Sequence, residues 1–163
     1  MKENASALTT CLWFDTNGRE AAEYYVELFP NSRILDNWVT QAETPGNKPN
    51  TEVVVNFELF GQPFIALNGG PYFTHSEAIS FQIPCTSQAD VDHYWDRLVG
   101  DGGQAGQCGW LKDKFGISWQ VVPAEMNNYL GGPDPEGSKR ATEAMLGMTK
   151  IDLGAMRRAY EGV

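Results

Sequence analysis

Polar and apolar positions along this chain follow two periods, one near 2 and one near 3.6, and the order of those stretches occurs twice. Residues 8–14 (Leu-Thr-Thr-Cys-Leu-Trp-Phe) are β-branched and aromatic and predict a strand. Asn17 followed by Glu20 is a helix-start signature, since Asn is a good N-cap and a Glu three positions on reaches back to it. Ala21, Tyr24, Tyr25 and Leu28 then recur at the spacing of one helix face, and Pro30 ends the helix. A strand is expected near 33–40. Residues 41–50 hold two prolines and a glycine and predict a loop. Residues 52–60 alternate in the strand sense, Gly61-Gln62-Pro63 predicts a turn, and a strand over 64–68 follows.

The same order then returns. A strand is expected over 78–83, a cap signature at Ser87 and Asp90, and a helix face at Val91, Tyr94, Trp95 and Leu98. The offset from the first helix is 70 residues at each point: Asn17 to Ser87, Ala21 to Val91, Tyr24 to Tyr94, Tyr25 to Trp95 and Leu28 to Leu98. Strands near 107–112 and 117–122 complete the second half, with Gly116 echoing Gly61. From Pro123 the pattern is helical over 123–130, 138–147 and 152–161, with Ser138 and Asp152 as N-cap candidates. Met145, Leu146, Met148 and Ile151 are apolar enough to pack on the body or on a second subunit.

Strand alternation assigns faces. Thr10, Leu12 and Phe14; Val53, Val55, Phe57 and Leu59; Ile65 and Leu67; Ile79, Phe81 and Ile83; and Ile117, Trp119 and Val121 are expected to meet the helices. The opposite faces carry Thr9, Cys11 and Trp13; Val54, Asn56, Glu58 and Phe60; Phe64, Ala66 and Asn68; Ala78, Ser80 and Gln82; and Ser118, Gln120 and Val122. That mixture of small, polar and aromatic groups, with Trp13, Phe60 and Phe64 among them, is what a ligand-lined cup requires.

Composition narrows the classes. With 163 residues the chain is long enough for one well-buried core, and 42% hydrophobic against 20% charged residues is a globular profile. The formal net charge of −9 argues against nucleic-acid binding, which needs clustered Lys and Arg. Cys11, Cys85 and Cys108 form no Cys-x-x-Cys pair, so neither a disulfide framework nor a thiolate zinc site is expected. Residues 1–10 hold no apolar core of signal-peptide length and no run suits a membrane span, from which a cytoplasmic location is expected. Asn4-Ala5-Ser6 matches a glycosylation sequon that such a location leaves unused.

Five stretches carry a family resemblance: Cys-Leu-Trp-Phe-Asp (11–15), Glu-Ala-Ile-Ser-Phe-Gln-Ile (77–83), Val-Asp-His-Tyr-Trp (91–95), Cys-Gly-Trp-Leu-Lys-Asp-Lys-Phe-Gly-Ile-Ser-Trp-Gln-Val-Val-Pro (108–123) and Ala-Met-Leu-Gly-Met-Thr-Lys-Ile-Asp (144–152). In these the chain resembles the PhnB-like branch of the vicinal-oxygen-chelate (glyoxalase/bleomycin-resistance) superfamily, often labelled demethylubiquinone methyltransferase-like. The resemblance implies an α+β fold of paired βαβββ modules with a helical C-terminal tail, a homodimer, and a cavity on the concave sheet faces. Module one is expected at about 6–70, module two at about 76–123 and the tail at 123–163, all in one domain.

Metal-dependent relatives hold a divalent ion with four His, Glu or Gln side chains on those faces. Strand register carries the four positions to Thr9, Ala66 or Asn68, Ala78 and Gln120, of which Gln120 alone could coordinate well. No metal and no cofactor are therefore expected. The residues expected to line a ligand are Trp13, Glu58, Asn68, His75, Gln82, Trp110, Lys112 and Gln120. His75 sits in a loop at the lip, and its unperturbed pKa near neutrality suits acid/base work. Trp110 would form an apolar wall and Lys112 would hold an anion.

Four functions compete: a metal-independent small-molecule binder; a metal-dependent lyase, dioxygenase or transferase using Glu58, His75 and Gln120; a methyltransferase, as the family label suggests; and a module without a ligand. For the third, Gly100-Asp101-Gly102-Gly103-Gln104-Ala105 matches a glycine-rich fingerprint, but it follows a helix rather than a strand.

Overall fold

The computed structural model describes residues 8–163, and the chain divides into two compact units, one running to Thr74 and one from His75 to Val163. The expected module start near residue 6 and the Asn4-Ala5-Ser6 sequon lie outside the described residues.

The first unit runs β1 (Thr10–Phe14), α1 (Gly18–Leu28), β2 (Arg33–Val39), β3 (Glu52–Leu59) and β4 (Gln62–Asn68). Its sheet has the order β1-β4-β3-β2, with β1 parallel to β4 and the other neighbours antiparallel. One sheet face carries α1, whose Ala21, Tyr25 and Leu28 are buried as their spacing predicts.

Strand β4 corrects the expected parity. Phe64 pairs with Phe57 and Ala66 with Val55, and residues directly opposite in an antiparallel pair share a face. Phe64, Ala66 and Asn68 are therefore buried on the helix side, with the Phe57 and Phe64 rings stacked at 5.5 Å. Ile65 and Leu67 lie on the open face, half-buried. Phe60 is not a cup residue either. It sits in the β3–β4 turn at φ 51° with its ring 5.4 Å from Phe29.

Asn68 explains itself by its bonds. Its Oδ1 accepts the Gly18 N–H at 2.8 Å and its Nδ2 donates to the Glu52 carbonyl at 3.1 Å. Asn17 occupies the N-cap position of α1 but makes no side-chain cap bond, so Asn68 satisfies that helix start from across the fold. Gly18 permits the approach, because a Cβ there would sit 2.8 Å from Asn68 Oδ1.

The second unit repeats the wiring: β5 (Phe81–Cys85), α2 (Gln88–Gly100), β6 (Gln104–Ala105), β7 (Trp110–Lys112) and β8 (Ser118–Pro123), in the sheet order β5-β8-β7-β6. Ser87 Oγ accepts the Asp90 N–H at 3.2 Å, and Asp90 reaches back to the Thr86 N–H at 2.7 Å. Val91, Tyr94, Trp95 and Leu98 are buried against the sheet, so both members of the 70-residue repeat are core faces. The strand expected from 78 begins only at Phe81, and Ile79 stands 72% exposed in the turn before it. Cys108 precedes β7, at φ 55°.

The tail forms α3 (Met126–Leu130), α4 (Pro135–Leu146) and α5 (Leu153–Glu161). Asp134, not Ser138, caps α4, accepting the Glu136 N–H at 3.1 Å, with Pro135 opening the helix where a missing N–H costs nothing. Asp152 caps α5 as expected, accepting from the Ala155 N–H at 2.8 Å. The tail packs on its own unit. Gln88 on α2 donates to the Ile151 carbonyl and accepts from the Leu153 N–H, both at 2.9 Å. The Cys108 and Gly109 N–H groups bond to Met148 and Thr149 carbonyls at 2.9 and 2.8 Å.

Candidate functional site: the open face of the second sheet

With α2 covering one face of the second sheet, the other face is built from rows of side chains set by register. Gln82, Gln120 and Trp110 form one row, and Pro84 lies beside Val122 in the next. Lys112 pairs with Ser118 in the row on the other side. Gln120 is held in orientation, its Nε2 donating to Ser80 Oγ at 2.8 Å. Its Oε1 accepts from Gln82 Nε2 at 3.4 Å, a long bond that a ligand's donor could replace.

Over these rows opens a cavity of about 490 Å³, within the size range of small-molecule sites. Pro84, Val122, Trp110 and Cys108 line it together with Met126 and Met145 from the tail, and the Cys108 thiol lies 3.6 Å from the Met145 carbonyl oxygen. Methionines suit such a wall because they adapt to the shape they meet. The site is thus a largely apolar cup with the Gln82 and Gln120 amides on its sheet face and Thr86 and Asn127 as further polar groups in its lining. Cys85 also borders it, but burial, with the nearby Asp90 carboxylate, pushes its thiol up to about 11. It is a neutral thiol at physiological pH and not a nucleophile.

Of the eight residues expected to line a ligand, Gln82, Trp110 and Gln120 border this cavity. Lys112 borders an adjoining recess together with Trp110. Trp13 and Glu58 lie on the open face of the first sheet. Trp13 donates from Nε1 to the Gly70 carbonyl at 2.8 Å and meets the Phe73 ring edge-on at 4.8 Å. Glu58 accepts from Arg33 at 2.9 Å. His75 is half-buried in the irregular segment before β5. Asn68 is the correction: it points to the helix side, as described above. The tail residues Met126 and Met145 were not expected at the site, though Met145 carried a signal in its apolar tail cluster. Ser118 stands on the face that strand alternation gives to the cup.

The fold's metal-binding pattern does not fit these residues. Ala66 and Asn68 are buried on the helix side, Ala78 has no donor, and Thr9 lies before β1. Only Gln120 presents a possible ligand, through an amide oxygen already engaged. Among the described residues no three His, Cys, Asp or Glu side chains gather as a metal site would need. The glycine run from Gly100 has a structural reason too. A Cβ on Gly103 would lie 2.3 Å from the Leu98 carbonyl oxygen and 2.5 Å from that of Lys112, so glycine is needed where α2 turns into β6.

A family profile described as 3-demethylubiquinone-9 3-methyltransferase matches residues 6–122. Among solved structures, a Bacillus cereus PhnB protein provisionally described by the same name is 29% identical, covering 72% of this chain and 98% of its own, with a TM-score of 0.63. Protein PA1353 from Pseudomonas aeruginosa is 17% identical over 69% of this chain and 92% of its own, with a TM-score of 0.54. A lactoylglutathione lyase from Agrobacterium tumefaciens is 15% identical over 77% of this chain and 98% of its own, with a TM-score of 0.39. No curated protein matches the chain. The tail residues that wall the cup lie beyond the profile's matched stretch.

Proposed function

The chain belongs to the 3-demethylubiquinone-9 3-methyltransferase family within the vicinal-oxygen-chelate superfamily, and from that premise we propose that it binds a small organic molecule in the cup of its second unit without a divalent metal. The observation that carries this is the convergence of Gln82 and Gln120 on a largely apolar cavity of about 490 Å³, to whose lining Thr86 and Asn127 add further polar groups. Two amides exchange hydrogen bonds with a neutral polar group such as a carbonyl or hydroxyl, while Trp110, Val122 and the methionines cover an apolar or ring-shaped body. Of the two cysteines that border the cavity, Cys85 is held neutral. Methyl transfer is not part of the reading, because the glycine run has its explanation in backbone packing.

The proposal extends to a homodimer in the cytoplasm. The sheet edge β2 exposes Leu35, Trp38 and Val39, side chains that a second copy would cover. The three cysteines are free, as in a reducing compartment. No helix among the described residues is long and apolar enough to cross a membrane.

A thermal-shift screen of metabolites, run with and without a chelator, tests the reading. Binders are expected to raise the Tm equally in both conditions, and Trp110→Ala and Gln120→Leu are expected to lose the shift. Shifts that vanish with chelator, or tightly bound stoichiometric metal in the purified protein, would contradict the metal-free reading.

A further inference from the structure

Beside the cup lies a second recess of about 130 Å³, bordered by Trp110, Lys112, Ser118 and Glu77. Three features set it apart from an ordinary surface dent. Ser118 is 2% exposed, yet its Oγ has no hydrogen-bond partner. Buried hydroxyls are almost always satisfied, and one that is not marks a contact waiting to be made. Lys112 pairs with Ser118 across the strands, so its side chain stands over the same spot. Finally, Lys112 Nζ is already occupied by a carboxylate, that of Glu77, at 2.5 Å.

Glu77 belongs to no strand or helix and is exposed in the turn before β5, with a side chain 63% exposed. An ion pair this open to water is weak and readily exchanged. It demonstrates that a carboxylate fits beside Lys112, and it supplies one from an exposed turn. Lys112 and Ser118 also lie one side-chain row from Trp110 and Gln120, about 7 Å along the strands at the usual rise per residue.

We propose that the ligand is an organic acid, its apolar body in the cup and its carboxylate in this recess, where it displaces Glu77 from Lys112 and accepts a hydrogen bond from the Ser118 hydroxyl. Glu77 then acts as an internal stand-in that keeps Lys112 paired until the ligand arrives. This rests on the cup reading above and adds to it the ligand's charge, the position of that charge and a competitor within the chain. Trp110 borders both spaces and so sets the angle between ring and carboxylate.

The test uses phenylacetate, 3-phenylpropionate and 4-phenylbutyrate, each beside its neutral amide, titrated by calorimetry into the full chain. At least one acid is expected to bind more tightly than its amide, and the preference should weaken with added salt. Lys112→Met should cost the acid about tenfold or more and leave the amide unchanged. Glu77→Gln should tighten the acid by about two- to fivefold, the worth of an exposed competing pair. Ser118→Ala is the most diagnostic: it should raise the Tm of the unliganded protein by removing an unpaired hydroxyl, yet weaken the acid. A merely structural serine would lower the Tm and leave affinity alone. Acids and amides binding equally, or Glu77→Gln leaving acid affinity unchanged, would overturn the proposal while the cup reading stands. Failure of every acid and amide to bind at millimolar concentration would overturn the proposal, and the metabolite screen would then decide the cup reading separately.

Discussion

Replacing Asn68 separates its structural role from the ligand-lining role that strand alternation suggested. Asn68→Ala removes the acceptor of the Gly18 N–H and the donor to the Glu52 carbonyl, at a position 5% exposed. A buried donor left unpaired costs about 1–3 kcal/mol. The carbonyl keeps a second lone pair and loses less, and the small space left by the amide adds a further increment, so the total is about 2–4 kcal/mol. For a chain of this length each kcal/mol moves the Tm by about 2–4 °C, which places the variant about 5–15 °C below the parent. Asn68→Asp keeps the acceptor and sets a negative charge at the start of α1, so it should fall less far despite losing the donor. Urea and thermal melts of the three proteins provide the assay. Should Asn68→Ala melt within about 0.5 kcal/mol of the parent, the size of an ordinary surface change, the cross-fold cap would be wrong.

Other expectations follow from single contacts. Gly103→Ala should destabilise by about 2–3 kcal/mol in urea melts, because two backbone carbonyls must give way to its Cβ. Ser87→Ala should cost about 1 kcal/mol by the same assay, through loss of the α2 cap. Cys85 has a folded pKa raised from 9.0 to about 11, so the folded state holds its proton longer than the unfolded chain. Its contribution to stability is therefore intact below about pH 9 and is lost as pH rises towards about 11; a Cys85→Ser control should flatten that part of the pH–stability curve. Iodoacetamide near neutral pH should label Cys85 only after denaturation, as peptide mass mapping would show.

The sequence was most legible where periodicity and burial report the same thing. Both helix faces, their 70-residue offset and the Ser87–Asp90 cap signature could be read because an amphipathic helix has one buried stripe. Strand β4 was misread because both its faces are apolar: Ile65 and Leu67 outrank Ala66 and Asn68 in hydropathy, yet pairing with β3, not hydropathy, decides the parity. Asn68 is polar on the buried side because a helix start needs an acceptor there, a long-range requirement invisible to local pattern. Ser138 is a good capping residue type but lies inside α4, whose start is set by Asp134 and Pro135. At the site, strand parity reached Gln82 and Gln120. It missed the methionine wall because a tail's docking position depends on tertiary contacts such as those of Gln88 with Ile151 and Leu153.

The claim beneath all of this is that the open face of the second sheet is a binding cup centred on Gln82 and Gln120. Soaking crystals of the protein with a library of small aromatic fragments tests it most directly. The account expects fragments to gather over Trp110 and Val122 and to hydrogen-bond to Gln120. Fragments bound elsewhere on the molecule while this face holds none would contradict it.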